Sequence, residues 1–111
     1  MKLITAIIQP FKLDAVREAL AHAGIDGMTV TEVKGFGRRK NHAESDGGSM
    51  QEHFEPKLRV EVALPDDFTD KAVETITEAA RTGEVGDGKI FVLPIAHALR
   101  IRTGEADSDA L

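Results

Sequence analysis

The sequence predicts an α+β fold: one antiparallel sheet with two helices on one face, in chain order β-α-β-β-α-β. Two observations carry this. Two stretches, Lys12–Ala23 and Phe68–Ala80, repeat apolar residues at helical spacing. Each is flanked by short segments rich in Ile and Val, several of which alternate polar and apolar residues.

The first strand is Lys2–Gln9, Ile-rich and stopped by Pro10. The helix over Lys12–Ala23 turns Leu13, Val16 and Leu20 inward with Ala15, Ala19 and Ala23 beside them, and Asp14, Arg17 and Glu18 outward. Gly24 ends it as a C-cap. Met28–Phe36 alternates strictly enough for a strand with one buried face, and so does Leu58–Leu64. Pro65, Asp66 and Asp67 then punctuate, with an Asp expected as N-cap of the second helix. Ala72, Val73, Ile76 and Ala80 form the inner stripe of that helix. Lys89–Leu93 is the fourth strand, broken by Pro94, and Ile95–Ile101 reads as a short edge strand. Thr103–Leu111 is small and acidic, and is expected to be a flexible tail. Right-handed crossovers in both halves give a ferredoxin-like sandwich. Aromatic content is low, so the face of the sheet without helices is expected to pack on neighbouring subunits.

A chain of 111 residues is expected to form a single domain, 1–111, with a thin core that oligomerisation would reinforce. Fourteen basic against nineteen acidic residues leave a net charge of −5, which disfavours a nucleic-acid binder. Cys is absent, so disulfides, zinc fingers and thiol catalysis are excluded. No apolar run is long enough to span a bilayer and no leader peptide stands out, so a cytoplasmic protein without membrane insertion is expected. Tyr and Trp are also missing.

One segment does not suit a compact domain. Arg38–His53 contains no Val, Ile, Leu or Phe, yet joins two strands that a short hairpin could join. It reads as an arm that orders on a partner, against the plainer reading of a solvated loop.

Three cationic elements stand out. Thr82–Lys89 holds Gly83, Gly86 and Gly88, and Gly83, Gly88 and Lys89 fit G-x-x-x-x-G-K. Ile90 stands where a P-loop needs Ser or Thr, and a strand follows instead of a helix, and both argue against a P-loop. The segment is then either an anion nest of backbone N–H groups with Lys89 beside it, or an ordinary helix-to-strand turn. Gly35-Phe36-Gly37-Arg38-Arg39-Lys40 places glycines beside three cations, and suits either a polyanion or a hinge. Arg100 and Arg102 alternate with Ile101, and on an extended segment would point the same way. Such a pair suits phosphate oxygens, or else pairs with the acidic tail. Few and local cations in an acidic chain fit one small polyanion such as a nucleotide. The four histidines have no i, i+4 spacing on a helix, so no metal site is expected, and no catalytic residue is assigned.

Four blocks resemble the P-II signal-transduction family from Met1 to about Glu105: Ile7–Leu13 with Val16–Leu20, Gly27–Arg38, Thr82–Val92, and Arg100–Glu105. The resemblance implies a homotrimer of ferredoxin-like subunits whose clefts bind ATP or ADP. It makes Arg38–His53 the T-loop and 82–89 the B-loop. It implies that Gly86, Asp87, Gly88 and Lys89 hold phosphates, with Arg38 from the base of the arm and Arg100 and Arg102 from the adjacent subunit. Thr29, Gly35, Gly37 and Glu61 line the base and ribose region.

The chain departs from the family in the arm. Arg39 replaces the family's Gln, which helps to hold Mg²⁺ and 2-oxoglutarate. A guanidinium has only donors and cannot ligate Mg²⁺, so Arg39 argues against that assembly and for direct pairing with an anion. Lys57 matches a family lysine and keeps part of an anion site. With no Tyr, tyrosyl modification is impossible, and Ser49 is the remaining candidate for modification. The arm is one residue short. These departures suggest a variant member of the family. The resemblance implies a non-enzymatic regulator, with at most weak nucleotide hydrolysis. Its T-loop would control an ammonium channel, a metabolic enzyme of nitrogen metabolism or another transporter. The alternative is an adenylate or anion sensor without a 2-oxoglutarate response.

Overall fold

The computed structural model describes residues 1–36 and 54–111. The segment 38–53, together with Gly37, lies outside them. Four strands form one sheet: β1 (Lys2–Ile8), β2 (Thr29–Phe36), β3 (Phe54–Leu64) and β4 (Lys89–Pro94), in the order β2-β3-β1-β4 and antiparallel throughout. Helix α1 (Leu13–His22) connects β1 to β2, and α2 (Thr69–Ala80) connects β3 to β4. This is the expected βαββαβ sandwich.

Period two in the strands and period 3.6 in the helices bring one set of residues together. Ile4, Ala6 and Ile8 of β1 and Leu58, Val60, Val62 and Leu64 of β3 meet Val16 and Leu20 of α1 and Ala72, Ile76 and Ala80 of α2. Removing each Ile, Val or Leu from water contributes about 1.5–3 kcal/mol. The odd-numbered residues of all four strands therefore lie on the face away from the helices.

Helix α1 ends as Gly24 requires. Its φ is +83°, its N–H donates to the Ala21 carbonyl, and the N–H of Ile25 donates to that of Leu20. This is a Schellman closure, with buried Ile25 as its apolar partner.

Four expectations need correction. Strand β3 begins at Phe54, four residues before Leu58, and pairs with β2 from Phe36↔Phe54 to Thr29↔Glu61. Pro56 obscured it, but β3 has no β1 partner before Leu58, so a missing donor on that side is tolerated there. No Asp caps α2. A 3₁₀ turn over Asp66–Phe68 precedes it, and the Asp66 carboxylate instead accepts the N-terminal amine of Met1 at 2.9 Å and pairs with Lys2 at 3.1 Å. Ile95–Ile101 is not a strand; it keeps one isolated bridge, Leu99↔Ala106. Residues of the acidic tail are tied back, since Asp107 accepts from His97 Nδ1 at 2.9 Å and from the Ala98 N–H at 3.2 Å, and its own N–H donates to the Ala98 carbonyl.

Candidate functional site

The site begins with the turn between α2 and β4. Gly83, Gly86 and Gly88 take φ of +86°, +100° and +102°, a region that side chains resist. Gly88 is also sterically required: a Cβ there would lie 1.7 Å from the carbonyl oxygen of Ile7. The turn therefore lies directly against the end of β1.

Asp87 shapes the turn from within. Its carboxylate accepts the N–H groups of Thr82 and Gly83, each at 2.9 Å, and the Thr82 hydroxyl. These bonds, led by the hydroxyl of Thr82, hold its pKa below the usual carboxylate range. The Asp87 carboxylate thus closes the loop. The Thr82–Gly83…Asp87 spacing carried that signal, because a short carboxylate after such a pair readily takes local N–H groups.

Lys57 joins the turn to the sheet. It is the one charged side chain buried among the described residues, and its Nζ donates to the Gly86 carbonyl at 2.6 Å. Gly35, beside it on β2, leaves room for the lysine stem, because a Cβ there would be 3.3 Å from Lys57 Cγ. No local sequence signal announces a contact between residues 57 and 86.

Register then groups the rest. Thr29 pairs with Glu61, Glu61 with Thr5, and Thr5 with Phe91, while Ile7 pairs with Lys89. Thr29, Gly35, Lys57, Glu61 and Lys89 consequently share the face away from the helices. An open groove of about 620 Å³ runs along that face, lined among others by Leu3, Thr5, Arg59, Glu61, Phe91 and Leu93. Phe91 and Leu93 are about half exposed. The enclosed Nε of Arg59 faces Glu61 Oε1 at 3.5 Å.

Arg100 and Arg102 are not brought to this end. β4 runs from beside Ile7 to beside Lys2, and the N–H of Ile95 then donates to the Met1 carbonyl. The two arginines follow in a hairpin closed by Arg100 N–H to Glu105 O and Gly104 N–H to Arg100 O, both at 2.8 Å. Residues 101–103 are a turn, so the same-side argument for the pair does not hold. The Arg100 guanidinium lies 3.5 Å from Glu105 and donates to the Leu111 carbonyl at 3.4 Å. Gly37, Arg38, Arg39 and Ser49 lie outside the described residues. No group of three His, Asp or Glu among the described residues is placed to hold a metal ion, and no described helix is long and apolar enough to cross a membrane.

The site can present backbone donors and the Lys89 ammonium to an anion, beside a sheet face with polar and apolar positions. The family described as Nitrogen regulatory protein P-II matches residues 1–105. The chain is 58% identical over 112 aligned positions to the Nitrogen regulatory protein P-II of Rhizobium etli, with all of both chains covered. The same figures hold for Nitrogen regulatory protein P-II 1 of Escherichia coli K12. Among solved structures, Arabidopsis thaliana PII bound to citrate superposes with a TM-score of 0.83 at 38% identity, covering 99% of this chain and 91% of that one. Such full-length identity gives no sign of a separate variant branch. The chain belongs to the P-II nitrogen regulatory family, whose members are signal-transduction regulators rather than enzymes.

Proposed function

We propose that this protein is a cytoplasmic adenylate sensor that binds ATP or ADP at clefts between the subunits of a homotrimer and signals through its T-loop. Thr29, Gly35, Glu61, Gly86, Gly88 and Lys89 are the contribution of one subunit, with Asp87 holding the turn in shape. Gly37 and Arg38 extend it from the base of the arm, and Arg100 and Arg102 come from the neighbour. One observation carries this reading. The sheet register spreads the first group over one face from the middle of the sheet, where Thr29, Glu61 and Thr5 are level, to the end beside Ile7 and Lys89 and beyond it to Gly35, while the chain leaves Arg100 and Arg102 past the opposite end, beside Lys2. A second copy is the simplest way to unite them. The half-exposed Phe91 and Leu93 on the same face favour coverage by that copy.

The three left-handed glycines, the close seat of Gly88 against Ile7 and the lysine beside it suit a phosphate chain. Lys57 and Arg39 form the second input, for a small anion. Arg39 supplies fixed positive charge where the family uses Gln, so Mg²⁺ and 2-oxoglutarate are not needed for nucleotide binding. Citrate in the Arabidopsis thaliana structure is in keeping with small carboxylates as ligands in this family. Targets are an ammonium channel, an enzyme of nitrogen metabolism or another transporter, engaged by residues 38–53. The ligand must prefer one arm state, since equal affinity for both transmits nothing.

Calorimetric titration with ATP and ADP, each with and without Mg²⁺ and 2-oxoglutarate, tests the proposal. Nucleotide binding indifferent to 2-oxoglutarate supports the reading of Arg39 and the adenylate or anion sensor. Binding strengthened by it makes the protein a conventional nitrogen and energy sensor despite Arg39. No nucleotide binding refutes the proposal.

A further inference from the structure

We propose that residues 107–111 form an intramolecular strap that occupies the Arg100 guanidinium, so that a phosphate chain must displace the strap to reach it. This rests on the nucleotide reading of the site and deepens it, by giving one of its cations an occupant from the same chain. One terminal nitrogen of Arg100 donates to the main-chain oxygen of Leu111 at 3.4 Å, and the other lies 3.5 Å from the Glu105 carboxylate. A phosphate needs those same two nitrogens, because a guanidinium meets an oxyanion best through parallel N–H bonds.

The strap has a defined anchor and a defined path. Asp107 anchors it with three bonds: its carboxylate accepts from His97 Nδ1 at 2.9 Å and from the Ala98 N–H at 3.2 Å, and its own N–H donates to the Ala98 carbonyl at 2.7 Å. Among the described residues, Asp107 is the one residue other than glycine with a left-handed φ, +55°. Asp tolerates that region because its short side chain bonds locally. The 3₁₀ turn Asp107–Ala110 follows and delivers Leu111 to Arg100. Ser108 and Asp109 are exposed, whereas Ala110 and Leu111 are half-buried, so the last part of the strap rests on the protein. The hold is displaceable. Its hydrogen bond is long, and the Arg100 and Glu105 side chains are exposed enough for water to screen their pairing. A bidentate, charge-assisted contact with phosphate is stronger. A nucleotide therefore takes Arg100 at a lowered apparent affinity and releases Ala110 and Leu111 as it does so. Since Arg100 serves the neighbouring copy's cleft in that reading, the strap of one subunit responds to a nucleotide held mainly by another.

The test compares the full chain with one lacking residues 108–111, which keeps Asp107 and its three bonds. Asp109→Asn is the charge control, since it removes an acidic group but leaves the Leu111 oxygen in place. Calorimetry reads ATP against adenosine, and nuclear spin relaxation at Arg100 Nε reads the guanidinium without nucleotide. The shortened chain is expected to bind ATP about two- to ten-fold more tightly, the worth of one net hydrogen bond, with adenosine unchanged. Its Arg100 Nε is expected to become more mobile, while Asp109→Asn matches the full chain in both readouts. In the full chain, ATP but not adenosine is expected to shift the amide resonances of Ala110 and Leu111. ATP affinity unchanged or lowered by the shortening, or a gain that Asp109→Asn reproduces, overturns the proposal. So does an Arg100 Nε equally ordered with and without the strap. A full chain that binds no nucleotide refutes the parent reading instead, and the relaxation comparison still decides whether the strap holds Arg100.

Discussion

Gly88→Ala is the substitution for which the structure makes its sharpest energetic statement. The new Cβ would stand 1.7 Å from the Ile7 oxygen and 2.8 Å from its carbonyl carbon, both main-chain atoms of a paired strand. No rotamer relieves that overlap. Either the turn or β1 must move, which costs about 1–3 kcal/mol as overpacking. A φ of +102° adds about 1–3 kcal/mol of backbone strain for a residue with a Cβ. The sum is about 2–6 kcal/mol. Gly83→Ala is the matched control: its φ is +86°, but nothing lies within 4 Å of the new Cβ. Only the backbone strain applies there, about 1–2 kcal/mol. Thermal unfolding followed by far-UV circular dichroism is the assay, since a chain without Trp or Tyr has little intrinsic fluorescence to follow. Both variants are compared at one protein concentration, because assembly shifts apparent stability. Gly88→Ala is expected to melt roughly 10 °C below Gly83→Ala. Equal melting of the two would show that the turn does not sit on the Ile7 carbonyl, and the geometry of the cradle would be wrong.

Ile76→Ala empties a fully buried position on α2 and is expected to cost about 2–5 kcal/mol, whereas Ile76→Val costs about 0.5–1.5, both read by denaturant titration. Asp66→Asn weakens the tie between Met1, Lys2 and the start of the second crossover. The N-terminal amine, then Lys2, holds the Asp66 pKa below its ordinary value, so the wild-type advantage is present above that value and is lost as pH falls through the lowered one. Melting curves of both proteins across acid pH should converge. Removing residues 106–111 takes away the Leu111 oxygen bonded to the Arg100 guanidinium and is expected to strengthen ATP binding severalfold in calorimetry. Deleting residues 39–53 is expected to abolish target binding in a pull-down while nucleotide affinity is retained.

The fold was legible where period and punctuation agreed. Ile4, Ile8, Val60 and Val62 alternate, Val16 and Leu20 lie one turn apart, and Gly24 marks the left-handed close of α1. Misreadings occurred where a nonlocal partner decided the outcome. Asp66 resembles a cap, but the amine of Met1, distant in sequence, claims its carboxylate. Pro56 and the charged residues around it disguise the start of β3, which β2 nevertheless pairs along its length. At the site, three glycines announced a turn with unusual backbone. The spacing Thr82…Asp87 could have revealed what closes it, since the bonds are local. The bond from Lys57 to Gly86 could not be foreseen, because it spans 29 residues and depends on the sheet register. The arginines show the limit of extrapolating period two: Arg100 and Arg102 alternate in sequence, but the chain turns between them.

The shared cleft is tested most directly by subunit complementation. Lys89→Ala and Arg100→Ala chains are prepared separately, and each is expected to bind ATP poorly. Unfolded together at equal amounts and reassembled, they should recover binding at about a quarter of the clefts, those where an intact Lys89 meets an intact Arg100 from the neighbouring chain. Recovery of that size supports a nucleotide site built from two copies. No recovery, or full-strength ATP binding by either variant alone, would contradict it.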